Sequence, residues 1–189
     1  SAEALEIISK LWAEGTVTFK GTYYQYENAT LAPQPVQKNL PLWVGGSAPA
    51  AIERTARWGT GWQAGLETPE EIAPVITAIK DRAAVLGRTI DEDHYGAGFA
   101  FRFGSPEDPV AKAQGDALRA RLGDQVEAMM AVGDSDVIME RLLAYHAAGA
   151  HKFVLRPMAQ DDEDMMIQTA RLIKDVLPRV EALNQAAAA

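Results

Sequence analysis

The chain has 189 residues, enough for one domain with a substantial core. Apolar residues make up 48% and charged residues 23%, the balance of a soluble globular protein, and the formal net charge of -8 sets the surface at large against nucleic-acid phosphates. The absence of cysteine excludes a disulfide framework, a thiol nucleophile and a zinc–thiolate site, and no apolar run reaches membrane-spanning length, so a cytoplasmic protein with neither nucleic-acid nor membrane partner is expected.

Ala2–Ala13 places Leu5, Ile8, Leu11 and Trp12 on one face and reads as an amphipathic helix. Thr16–Lys20 alternates polar and apolar residues, Gly21-Thr22 breaks the pattern and Tyr23–Tyr26 resumes it, which predicts a hairpin. Ala32–Gln37 is a proline-stiffened connector, so residues 14–39 deliver the chain to a short apolar run, Leu40–Val44. That run stops at Gly45-Gly46-Ser47, and a helix-forming stretch, Ala50–Trp58, follows. The pattern is that of a buried strand, a tight glycine turn and a helix start, with Ser47 as N-cap and Pro49 in the first turn. Without Cβ atoms in the way, backbone N–H groups at such a turn can approach an anion that the helix dipole also favours. Strand–glycine–helix turns also occur simply to make the turn.

Gly59–Ala64 reads as a second strand. Thr68, Pro69 and Glu71 form the signature of a capped helix start, and the helix runs to Leu86 with Ile72, Val75, Ile76, Ile79 and Ala83 on the face laid against a sheet. Tyr95–Phe103 is a third strand and Pro109–Leu122 a helix. A short helix around Gln125–Met130 leads to Asp134 or Ser135, which caps Val137–Ala148. His151–Pro157 is a fourth strand, Asp161–Leu183 a long terminal helix interrupted at Pro178, and Ala186–Ala189 a frayed end. Four strand–helix units in alternation imply an α/β fold with a parallel sheet, either a small open sheet or half of an eight-fold barrel, in one domain over residues 1–189.

The blocks Ala2–Trp12, Phe19–Tyr24, Leu31–Gln37, Leu40–Ser47, Ala50–Ile52 and Arg54–Trp62 resemble successive blocks of the luciferase-like monooxygenase family. Val132-Gly133 through Tyr145, Gly149-Ala150 and Phe153–Pro157 are similar to its last unit. The resemblance implies a (β/α)8 TIM barrel, of which this chain supplies about the C-terminal four units, and a cofactor that is FMN or the deazaflavin coenzyme F-420. It also implies hydride transfer or oxygen activation on a small-molecule substrate. Gly45, Gly46, Ser47 and the N–H groups of Ala48 and Ala50 are then expected to hold the cofactor phosphate. The sequence departs from the family in lacking the first four strand–helix units, and in having Thr60 where the family usually has Asp. No catalytic residue can be assigned.

Trp62 stands at the C-terminal end of a strand, where barrel enzymes build active sites, as a candidate pocket wall or as plain core. Arg102 and Arg156 lie near the ends of the third and fourth strands as candidate anion contacts; the alternative for Arg156 is a salt bridge to the acidic run Asp161–Asp164. His94, His146 and His151 have no partner at metal-ligand spacing, so no metal is expected. Gly96-Ala97-Gly98 lacks the third glycine of a dinucleotide fingerprint, and Ser47 lacks a nucleophile frame. A half-barrel leaves open strand edges and an uncovered inner face, which predicts a homodimer or a complementing N-terminal half-barrel. The functions open at this point are a luciferase-like oxidoreductase or its C-terminal portion, a non-catalytic half-barrel assembly module, and a flavin-independent phosphate-binding barrel enzyme.

Overall fold

A computed structural model describes residues 1–187. The chain forms two compact units, one of residues 1–64 with 74–96 and the other of residues 65–73 with those from 97 onward.

In the first unit, helix α1 (Ala2–Glu14) ends at Gly15, whose positive φ of 75° closes the helix in the left-handed region. Strands β1 (Thr16–Lys20) and β2 (Gln25–Thr30) pair as the expected antiparallel hairpin. Glu3 on α1 clamps its turn: the carboxylate accepts the N–H groups of Thr22, Tyr23 and Tyr24 at 2.8, 2.9 and 3.0 Å. The connector then leads to β3 (Trp43–Gly45), α2 (Pro49–Trp58) and β4 (Gly61–Gln63). β3 and β4 run parallel, with Val44 opposite Trp62, and β4 pairs with the start of β5 (Tyr95–Phe103) at Trp62 and Tyr95. Thr60 pins the entry of β3: its hydroxyl accepts the Leu42 N–H at 2.7 Å, and the Thr60 N–H donates to the Leu42 carbonyl at 2.8 Å. Helix α3 (Pro69–Val85) runs through Pro74, where it enters this unit, and buries Ile76, Ile79 and Ala83 here and Ile72 in the second unit, four of the five residues expected on its inner face.

In the second unit, the remainder of β5 is buried along nearly its whole length, as in strands covered on both faces. It pairs in parallel with β6 (Met130–Gly133), Ala100 opposite Met130. β7 (Lys152–Pro157) also pairs with β5. The Val154 carbonyl lies where a Cβ on Gly98 would collide with it, and Met158 N–H donates to the Phe101 carbonyl at 2.8 Å. Gly98 is therefore a close-approach glycine between strands. Helix α4 (Pro109–Leu122) is capped by Asp108, whose Oδ1 accepts the Val110 N–H at 2.8 Å. Helix α5 (Ser135–Ala147) is capped by Asp134, the earlier of the two expected residues.

Three expectations are corrected here. The described residues form a sheet of five strands rather than four, because β6 forms between the short helix expected around Gln125–Met130 and the Asp134 cap; only a 3-10 turn, Gly123–Ala128, precedes it. The interruption expected at Pro178 in the terminal helix falls two residues earlier, at Val176, and separates α6 (Asp162–Asp175) from α7 (Leu177–Ala187). Of the frayed end expected over Ala186–Ala189, Ala186 and Ala187 belong to α7, while Ala188 and Ala189 lie outside the described residues. The described residues contain no helix long and apolar enough to cross a membrane.

Candidate functional site

The first site is built by the turn between β3 and α2. Gly45, Gly46, Ser47, Ala48, Pro49 and Ala50 are all exposed at the C-terminal end of β3. Gly46 has φ +95°, and a Cβ there would meet the Ala51 methyl at 3.3 Å, so the turn needs a residue without a side chain. The N-cap is Ala48 rather than Ser47, and its side chain offers no acceptor. Backbone bonding along the helix begins with Ala51 N–H on the Ala48 carbonyl at 2.7 Å. An uncapped helix start preceded by two glycines leaves backbone donors facing solvent, where an anion is favoured by dipole and hydrogen bonding together. The turn is held from beneath by Trp62, which is fully buried and donates its indole Nε1–H to the Gly46 carbonyl at 2.9 Å. The turn and Trp62 are thus one assembly, with the indole acting as a post rather than as an open wall.

In the second unit, Arg102 on β5 is 8% exposed. Its guanidinium donates to Asp164 at 2.7 Å, to Asp108 at 3.1 Å and to the Met158 carbonyl at 2.7 Å. Burial alone pushes the guanidinium down, but the hydrogen bonds it donates to Asp164 and Asp108 outweigh it and hold Arg102 above its ordinary value. Both carboxylates are correspondingly held below theirs, chiefly by Arg102. The acidic run therefore serves Arg102 and not Arg156, and Asp164 is ion-paired instead of solvated. Asp161 caps α6, accepting the Asp164 N–H at 2.8 Å. Gln168 completes the end of β5 by accepting the Phe103 N–H at 2.7 Å. With both Nη atoms engaged, Arg102 is a structural tie, whereas Arg156 is exposed at the end of β7 with no ion pair among the described residues.

Arg156 lines a cleft of about 470 Å3 together with Leu66, Gln114, Leu118, Arg121 and Met130. Gln114 and Arg121 were missed by sequence reasoning, since α4 carries no motif and only the tertiary fold brings it to the end of β7. His94 does have acidic neighbours that sequence reasoning missed: its ligand atom and those of Asp91 and Asp93 lie within 4.8 Å of one another, all near the surface. His94 Nδ1 is 2.8 Å from the Thr60 carbonyl, and its ring packs on Trp43. His146 and His151 stack edge to face at 4.8 Å.

A model of the family described as luciferase-like monooxygenase matches residues 1–108. The chain is 27% identical over 204 residues to an F420-dependent glucose-6-phosphate dehydrogenase of Microbacterium testaceum, covering 94% of this chain and 59% of that protein. Among solved structures it is similar to the monooxygenase RslO1 from Streptomyces bottropensis (TM-score 0.76, 19% identity, 94% of this chain and 60% of that one). It is also similar to an F420-dependent secondary alcohol dehydrogenase (TM-score 0.73, 18% identity, 93% and 59%). The chain thus spans about three-fifths of the length of these relatives, and its α/β fold is that of their TIM barrels.

Proposed function

Because the chain belongs to the luciferase-like monooxygenase family, we propose that it is the phosphate-gripping portion of a flavin- or deazaflavin-dependent oxidoreductase acting on a small molecule. The observation that carries this proposal is the exposed Gly45–Ala50 turn at the start of α2, with Gly46 at φ +95° and no side-chain cap competing for its donors. Gly45, Gly46 and Ser47, with the N–H groups of Ala48 and Ala50, would hold the phosphate of FMN or of the deazaflavin. The donor set is neutral backbone plus one hydroxyl, which suits a phosphate ester in an acidic protein. The bound cofactor supplies the redox ring; this chain's own groups anchor its phosphate end and fix its position relative to the strands. Names of relatives support both a deazaflavin and a monooxygenase chemistry, and the residues of the turn do not distinguish them, because phosphate is common to both cofactors. The ring pocket is completed by a half-barrel outside the present sequence or by a second copy of this chain.

Titration of FMN and of the deazaflavin coenzyme, followed by fluorescence and by backbone amide shifts, tests the proposal. Saturable shifts confined to residues 45–51, weakened at least tenfold in Gly46→Ala with the circular dichroism spectrum unchanged, are expected. A Gly46→Ala protein that binds as the parent does overturns it. Light scattering on the same sample reads whether a second copy is present.

A further inference from the structure

The cleft at the end of β7 differs in character from the glycine turn. Its nine lining residues come from the segment after β4, from β5 and β6, from α4 and from the end of β7. Six are apolar, one is Gln114 and two are Arg121 and Arg156; none is acidic. This is unusual in a chain with 26 acidic residues against 18 basic ones. Neither arginine has an ion pair among the described residues, whereas Arg102 in the same unit is paired with both Asp108 and Asp164. Gln114 Nε2 donates to the Ala159 carbonyl at 2.8 Å, tying α4 to the segment after β7 and fixing the width of the cleft. Arg121 in the last turn of α4 also suits the helix dipole, but Arg156 stands on a strand and has no such reason to be there.

We propose that this cleft binds the phosphate or carboxylate group of a small organic anion, with Arg121 and Arg156 taking the charge and Leu66, Leu118, Met130 and Met158 taking the carbon skeleton. The volume is in the range of small-ligand sites, and guanidinium forks match oxyanions in geometry. An apolar floor beneath two cations selects an organic anion over an inorganic one. The anion can be carried by a substrate of the proposed oxidoreductase or by the cofactor itself. The cleft stands apart from the glycine turn in residues and in unit, so either assignment can fail without the other.

The test is a titration of the full chain with inorganic phosphate and with butyl phosphate, read by nuclear magnetic resonance at the Gln114 side-chain amide and the arginine Nε–H groups. Saturable shifts at Gln114, Arg121 and Arg156, with butyl phosphate at least threefold tighter, are expected. Arg121→Gln and Arg156→Gln should each weaken binding about tenfold, while Lys174→Gln, which changes net charge equally, leaves it unchanged. Displacement of butyl phosphate by FMN assigns the anion to the cofactor, and lack of displacement assigns it to the substrate; both support the cleft. Equal weakening by Lys174→Gln, shifts confined to residues 45–51, or no saturation overturns it.

Discussion

Replacing Trp62 with Phe tests whether the glycine turn is held up by the indole. Trp62 is fully buried, and its Nε1 reaches the Gly46 carbonyl at 2.9 Å. Phenylalanine keeps a ring in the core but removes the donor and roughly 40 Å3 of side chain; at ~24 cal/mol per Å3 the unrelaxed cavity costs about 1 kcal/mol. The lost hydrogen bond adds about 1 kcal/mol and no more, because Gly46 is exposed and water can satisfy its carbonyl. A total of about 2 kcal/mol lowers Tm by about 4–8 °C in a chain of this size. Urea melts followed by circular dichroism give the stability, and amide shifts at Gly45 to Ala48 report the turn. A loss under about 0.5 kcal/mol with those amides unmoved would show that the turn stands without its post.

Acid should weaken the protein in a defined window. Arg82, and after it Arg57, hold the Glu53 carboxyl at about 2 against an ordinary 4.5. As the folded group has the lower pKa, its contribution is complete above pH 4.5 and is lost as pH falls from there towards 2. The urea midpoint should fall through that window, and Arg82→Met should make the fall shallower; an unchanged slope refutes the assignment. The Tyr145 hydroxyl donates to the Glu67 carbonyl at 3.0 Å from a fully buried ring stacked on Phe99, so Tyr145→Phe should cost about 1 kcal/mol in the same melts. An unaltered midpoint would mean that water replaces the bond.

The sequence reads well where a local cause suffices. The hairpin, the capped starts of α3 and α5 and the glycine turn are dictated by periodicity and by residues within a few positions of one another. β6 escapes because Met130–Gly133 is only four residues long, too short for a period to show, and its pairing with Ala100–Phe103 is a long-range fact. The partner of the acidic run was misassigned for the same reason. Arg156 is the nearer arginine along the chain, but Arg102 is the one carried to Asp164 by the fold. Ser47 failed as N-cap by a single residue, at the level of detail where helix ends are least legible. The cleft with Arg121 and Arg156 has no signature in sequence at all, since what marks it is the absence of acids among residues far apart in the chain.

The path of the chain between the two units makes their dependence one-sided. Residues 1–96 contain every segment of the first unit, so a polypeptide cut after Gly96 loses nothing that this unit is made from. The second unit borrows residues 65–73 from upstream, and with them the Glu67 carbonyl that receives Tyr145 and the fully buried Ile72. A split version of this protein therefore has a preferred grammar. The downstream piece needs its own copy of residues 65–73, and a gene fission or fusion that respects element boundaries at β5 alone would leave it short of part of its own core.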